Sequence, residues 1–240
     1  MNPSEMLWVE HLAWDSEFFG IKIGQLCGRG NKEMLHELVA NSIAADFKCL
    51  YSLVDCDDSR MVYSLPRCGF SLVDVRIELA RDVADPIRQA EAYQLYLGTE
   101  ADVEQLTSAA RGTFSKSRFY SDPHFPKDRC DQLYDEWIRR DCTTEDRFTV
   151  VAKCNGQLAG FWSASITGSV GQTGLGFVSP DFRGKGVPAA MSSYMSDQLE
   201  RCGVGLLKAA TQGSNVAAVR MHLNCGFKFT GTKLWYHAWL

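Results

Sequence analysis

The sequence predicts an α/β chain with a mixed central sheet flanked by helices, and three observations carry that prediction. Apolar runs of strand length recur between turn signals along the 240 residues. Two of these turns, Asn155-Gly156 and Gly168-Ser169, are short enough to make hairpins and so antiparallel pairs. The run from Val170 to Thr211 instead reads strand, long helix, strand, the crossover that a parallel pair needs. With 45% apolar and 22% charged residues the chain has enough apolar surface for a core of this kind.

The elements follow in order. In the first third, Lys48 to Leu79 reads strand, short irregular or helical piece, the tripeptide Cys68-Gly69-Phe70, then strand. Leu207 to Trp239 repeats that order around Cys225-Gly226-Phe227, so the first third reads as a degenerate copy of the closing segment. A boundary is expected near Asp85-Pro86, dividing the chain into residues 1–86 and 87–240. Beyond it come a strand at Tyr93 to Leu97 and a helix from Thr99 to Phe114 with Val103, Leu106 and Ala110 on one face. A second helix, Asp131 to Asp141, turns Leu133, Trp137 and Ile138 inward. Strands follow at Arg147 to Lys153, Gln157 to Thr167 and Val170 to Val178, then a helix to Cys202 and a buried strand at Leu206 to Thr211. Asn215 is placed to cap a short helix, Val216 to Asn224, which Gly226 ends.

Charge and composition exclude several classes. A net charge of -4 gives no electrostatic case for nucleic acid or for an anionic membrane. No window is apolar enough to span a bilayer, and the opening Met-Asn-Pro-Ser-Glu lacks a signal-peptide layout, so a cytoplasmic location is expected. Nine scattered cysteines without a Cys-x-x-Cys pair indicate no disulfide framework. Five histidines show no ligand spacing, and no metal is expected.

Residues 178 to 188, Val-Ser-Pro-Asp-Phe-Arg-Gly-Lys-Gly-Val-Pro, carry the chemistry. A strand end, a glycine-rich turn and a helix start aim unpaired N–H groups and the positive end of a helix dipole at one point. Gly184 and Gly186 remove Cβ atoms where phosphoryl oxygens must approach, while Arg183 and Lys185 add charge. The spacing is that of neither a P-loop nor a dinucleotide fingerprint, yet it suits a pyrophosphate.

These residues resemble the GNAT superfamily of acyl-CoA-dependent N-acyltransferases, whose Gln/Arg-x-x-Gly-x-Gly/Ala signature falls on Arg183, Gly186 and position 188. Pro188 departs from it and lacks one N–H, although proline suits a first helical turn. A second segment, Asn215, Ala218, His222, Gly226 and Phe227, is similar to the family's Asn-x-x-Ala-x-x-x-Tyr-x-x-x-Gly-Phe, with histidine in place of tyrosine. The resemblance covers residues 93 to 240 and implies the GNAT fold, preceded here by a smaller degenerate GNAT-like domain. It further implies that acetyl-CoA or another acyl-CoA is held by Phe177, Val178, Arg183, Gly184, Lys185, Gly186, Val187, Asn215 and Ala218, and that His222 protonates the departing thiolate. An imidazole donates only when protonated, so His222 serves best after taking the amine's proton; packing on the helix face is its other reading.

Trp14 to Gly20 and Ser117 to Phe125, ahead of Leu133 to Ile138, resemble the TDP-fucosamine acetyltransferase branch, which implies a nucleotide-linked (dTDP) amino-deoxysugar as acceptor and a homodimer. Trp14, Phe18 and Phe19 read as core, whereas Tyr120, Asp122 and His124, in a polar loop before a helix, read as acceptor contacts. Two alternatives keep their place: another small amine as acceptor (an amino acid, a polyamine or an aminoglycoside), and a non-catalytic acyl-CoA-binding module.

Overall fold

A computed structural model describes residues 6–87 and 93–240; the opening pentapeptide lies outside the described residues. Ten strands alternate with eight α-helices among the described residues. In the first half these are β1 (Met6–His11), α1 (Ala13–Phe19), β2 (Ile23–Arg29), α2 (Lys32–Ala44), β3 (Cys49–Asp55), α3 (Ser59–Ser64) and β4 (Ser71–Asp82). The second half continues with β5 (Gln94–Leu97), α4 (Val103–Ala110), α5 (Arg118–Ser121), α6 (Lys127–Thr143), β6 (Arg147–Cys154), β7 (Gln157–Thr167) and β8 (Val170–Val178). It closes with α7 (Val187–Arg201), β9 (Leu206–Gln212), α8 (Val216–Asn224) and β10 (Lys228–Trp239). Asn155 and Gly156 both take positive φ, as the two-residue hairpin between β6 and β7 requires.

The strands form one sheet in the order β1-β2-β3-β10-β4-β9-β8-β7-β6-β5. Among the described residues β2–β3 and β8–β9 are the parallel pairs and the other pairs run antiparallel, which makes the sheet mixed as expected. Side chains alternate across it. Leu50, Tyr236 and Ala238 pack beneath α2 and α3, while Tyr51, Trp235 and Trp239 pack beneath α1, α5 and α6. In the second half Trp162 joins Val187, Met191 and Met195 of α7, while its neighbour Phe161 joins Leu106 of α4 and Ile138 of α6. Phe18 and Phe19 are core residues as expected; Trp14 is not, being 42% exposed and stacked on Phe18.

The repeated tripeptide marks a repeated structure. In each copy an Asx side chain caps the helix, Asp58 Oδ1 accepting from the Met61 N–H at 3.1 Å and Asn215 Oδ1 from the Ala218 N–H at 3.2 Å. Gly69 and Gly226 turn the chain at φ of 86° and 83°, a conformation that a Cβ would strain. Buried Phe70 and Phe227 then lead into twelve-residue strands, β4 and β10.

The copies exchange these strands. β10 of the second copy lies against β3 of the first, and β4 of the first lies against β9 of the second, with β4 and β10 paired to each other. Arg81 reinforces the join from β4, buried at 2% exposure and donating to the Cys225 carbonyl and the Ser192 hydroxyl, each at 3.3 Å.

Candidate active site

A gap between β8 and β9 organises the site. The two strands pair only at Val170–Leu206, Gly171–Leu207 and Gln172–Lys208, then part, although β8 continues to Val178 and β9 to Gln212. A β-bulge is the local cause. Gly174 and Leu175 both stand opposite Ser163 of β7, and the extra residue bends β8. The bulge is held by a buried chain of bonds: the Leu175 N–H donates to Ser163 Oγ at 2.9 Å, and Ser163 Oγ donates to Asp141 Oδ2 at 2.5 Å. Arg147 pairs with the same carboxylate at 3.2 Å. A Cβ on Gly174 would lie 2.4 Å from Ser163 Oγ, so only glycine fits.

Beyond the bulge the ladder decides which amides face the gap. Ser179 donates its N–H to Ala159 of β7 at 2.9 Å, so alternation turns the Phe177 N–H toward β7 and the Gly176 and Val178 N–H groups toward β9. Phe177, named from the sequence, therefore uses its amide within the sheet and its buried ring in the core beside Phe161. Val178 turns its amide toward the gap, and Gly176, which sequence reasoning passed over, shares its orientation.

The gap ends at the glycine turn. Gly184 and Gly186 sit at φ of 73° and 83°, and Gly186 is the N-cap of α7. Within α7 the first closing bond runs from the Ala190 N–H to the Gly186 carbonyl, so the Val187 and Ala189 amides precede the helical ladder. The Lys185 N–H is less free, donating to the Phe182 carbonyl at 3.3 Å. Arg183 and Lys185 are exposed, and Pro188 occupies the first helical turn. Across the gap, Asn215 commits its side-chain oxygen to capping α8 and leaves its amide NH2, with Ala218 one turn on.

His222 follows four residues after Ala218 and is buried. Its Nδ1 donates to the Ala218 carbonyl at 2.7 Å, which leaves Nε2 as the unprotonated nitrogen. That Nε2 is buried without a hydrogen-bond partner among the described residues, and the ring meets Trp162 and Phe227 edge-on at 5.3 and 5.2 Å. Burial pushes its pKa below the ordinary histidine value, against the opposing bond to Ala218. The imidazole is thus neutral at pH 7, a proton acceptor at Nε2 rather than a ready donor.

The acceptor residues named from the sequence lie on the opposite face of the sheet. Asp122, buried at 3% exposure, receives four bonds: from His237 Nδ1 at 2.7 Å, Trp239 Nε1 at 2.9 Å, His124 Nδ1 at 2.8 Å and the His124 N–H at 3.0 Å. Burial alone would raise its pKa, but these donors hold it well below the usual carboxylate range. Its carboxylate is enclosed by the protein. His124, by contrast, is largely exposed and stacks on Trp239, and the Tyr120 hydroxyl donates to Asp131. His237 passes the chain on, since its Nε2 accepts from Arg118 Nη1 at 2.7 Å. The Arg118 guanidinium lies 4.1 to 4.3 Å from the rings of Tyr51, Phe119 and Trp235. Arg118, His237 and Trp239 were not legible as site residues because their partners lie 115 to 119 positions away in sequence.

A mixed sheet that splays beside a glycine turn, in this order of elements, defines a GNAT-fold protein. Residues 113–227 match the model of the acetyltransferase (GNAT) family. It is 30% identical over 138 residues to the spore coat polysaccharide biosynthesis protein SpsD of Bacillus subtilis, a match covering 58% of this chain and 48%, about half, of that relative. It is 22% identical over 232 residues to the dTDP-fucosamine acetyltransferase of Escherichia coli O6:H1, covering 95% of this chain and 97% of that one. Among solved structures, a conserved protein of unknown function from Staphylococcus epidermidis aligns with a TM-score of 0.72 at 12% identity, covering 99% of this chain and 92% of that chain. A tandem GNAT protein from the clavulanic acid biosynthesis pathway aligns with a TM-score of 0.62 at 13% identity, over 92% and 76% of the two chains.

Proposed function

We propose that this protein is an N-acetyltransferase that moves the acetyl group of acetyl-CoA to the amino group of a nucleotide-linked amino-deoxysugar. The observation that carries the transfer chemistry is the gap between β8 and β9, which ends at the Gly184 and Gly186 turn. Its residues suit an acyl-CoA: unpaired first-turn amides and two exposed cations for the pyrophosphate, then outward amides at Gly176 and Val178 along the gap. The sugar acceptor is supported by the two relatives, one a dTDP-fucosamine acetyltransferase and the other a spore coat polysaccharide biosynthesis protein.

The chemistry then follows from placement. The neutral amine attacks the thioester carbonyl, and an outward amide of β8 donates to the oxygen that gains charge. The C–S bond breaks, the new N–C bond remains, and one proton must travel from the ammonium nitrogen to the thiolate sulfur. His222 Nε2 is the group we assign to this transfer: unpartnered and unprotonated, it accepts the proton and gives it to the sulfur. Tyr120 and His124 flank the acceptor, and Asp122 acts behind them by orienting His237. Residues 1–86 form the structural partner of the transferase half, 87–240, in this reading.

Thiol release from acetyl-CoA tests it, with dTDP-fucosamine and a panel of free amines as acceptors. Release with the nucleotide sugar supports the proposal. Release with other amines alone moves the acceptor class, and coenzyme binding without release from any amine leaves a non-catalytic binding module.

A further inference from the structure

We propose that Arg118 is the anchor for the acceptor's diphosphate, gripped from both halves of the chain and held ready by Asp122 through His237. The proposal rests on the nucleotide-sugar reading above and deepens it by assigning the group that recognises the nucleotide's charge.

The setting of Arg118 is built rather than incidental. Aromatic rings from three elements box its guanidinium: Tyr51 of β3, Phe119 of α5 and Trp235 of β10. Such rings tolerate a guanidinium by stacking but satisfy none of its N–H groups. One N–H goes to His237 Nε2, and because His237 Nδ1 donates to Asp122, that imidazole is the neutral tautomer that can only accept there. The chain Asp122 to His237 to Arg118 thus fixes the guanidinium without neutralising it. No carboxylate lies within 4.0 Å of Arg118 among the described residues, which is unusual for a half-buried arginine. The buried hydroxyl of Tyr51, whose ring the guanidinium covers, meets no partner at full hydrogen-bond geometry among the described residues, its one polar interaction being with Arg118 itself.

A guanidinium with no carboxylate in contact suits an anion with several oxygens, and phosphate accepts from arginine in a bidentate manner. Two more distant carboxyls, Asp15 of α1 and Asp74 of β4, are raised above the usual range by burial, against the opposing pull of the Arg118 charge. Asp74 and Trp235 are direct cross-strand partners, so the carboxyl and the aromatic wall share one face of the sheet. Beside them the Gly213 N–H donates to the Val75 carbonyl at 2.6 Å, which places this patch against the end of β9, the strand that borders the gap.

The test compares wild type with Arg118→Gln, using dTDP-fucosamine and free fucosamine as acceptors for acetyl transfer and dTDP as a ligand in calorimetry. Loss of a charge-assisted contact predicts a KM for dTDP-fucosamine raised roughly ten- to a hundredfold, an unchanged KM for the free sugar, and dTDP binding weakened to match. Arg118→Lys keeps the charge without the fork, so it is expected between the two, and it supplies the comparison should the glutamine variant fail to fold. Equal KM values for dTDP-fucosamine in all three proteins would overturn the anchor while leaving the transferase reading intact, as would a wild type that does not bind dTDP yet acetylates other amines. No acetyl transfer to any amine, with dTDP binding still dependent on Arg118, would sink the transferase reading and keep the anchor.

Discussion

Leu65 and His222 occupy the same place in the two copies of one motif. Each lies seven residues after its helix cap, Asp58 or Asn215, and each carbonyl accepts the N–H of the phenylalanine that ends the turn, Phe70 or Phe227, at 3.1 Å. Leu65 is fully buried and apolar, whereas His222 fills its place with an imidazole whose Nε2 meets no hydrogen-bond partner among the described residues. A buried nitrogen left idle where a leucine would fit is a cost to folding, and the function proposed for it is proton transfer.

Replacing His222 by leucine therefore separates folding from activity. Removing an unsatisfied polar group leaves the melting temperature unchanged or higher, while loss of the proton carrier lowers kcat by roughly two to four orders of magnitude. Affinity for acetyl-CoA, measured by calorimetry, should be preserved. A His222→Leu enzyme with wild-type turnover would reduce the histidine to a packing residue.

Gly174→Ala should damage the bulge directly. The new methyl would meet Ser163 Oγ at 2.4 Å and Asp141 Oδ2 at 3.1 Å, so β8 must shift or the buried Asp141–Ser163–Leu175 chain must break. Overpacking of this kind costs about 1–3 kcal/mol, readable as a lower urea midpoint. Because the outward amides of Gly176 and Val178 follow the bulge, kcat should fall as well. Full stability with full activity would show that the bulge does not set the gap.

The glycine turn makes opposite predictions at two neighbouring positions. Gly186→Val places a β-branched residue at a φ of 83° and a side chain over the first-turn amides, so acetyl-CoA should bind at least about tenfold more weakly. Pro188→Ala restores a missing amide to the same turn, and one added hydrogen bond of about 1 kcal/mol should tighten binding several-fold. Calorimetry with acetyl-CoA reads both; weaker binding in the alanine variant would place the pyrophosphate elsewhere.

His237 ties stability to pH. Burial pushes its pKa down to about 4, aided by the Arg118 charge and opposed by the bond to Asp122. The unfolded chain, with an ordinary histidine near 6.5, then binds the extra proton first. Its contribution to stability is complete above about pH 6.5 and is lost as the pH falls through that value toward 4. Asp122, whose folded pKa is depressed, extends the loss below the unfolded carboxylate value near 3.9. Urea unfolding between pH 7 and 4 should show this decline in wild type and a shallower one in His237→Gln.

Much of the second half was legible because its signals are local. The bounds Gln157–Thr167, Val170–Val178 and Val216–Asn224 agree with the reading of turns and caps, since Gly, Asn and hairpin chemistry act within a few residues. Helices were less well bounded: α6 starts at Lys127 rather than Asp131, and α4 stops at Ala110 rather than Phe114. The loop read as polar between Ser117 and Phe125 contains the short helix α5, held by tertiary packing of Phe119 and not by propensity. Arg118 and His237 meet only after β10 has inserted beside β3, and no local pattern can report an encounter that the chain's last strand creates.

That insertion also bears on how this polypeptide can be taken apart. A cut between Pro86 and Ile87 gives two fragments, each of which has donated its final strand to the other: the first would expose the edge of β3 that β10 covers, and the second the edge of β9 that β4 covers. Neither piece is a freestanding module. Produced together, they are expected to reassemble through those two vacated edges, as interlocked hands close only in a pair.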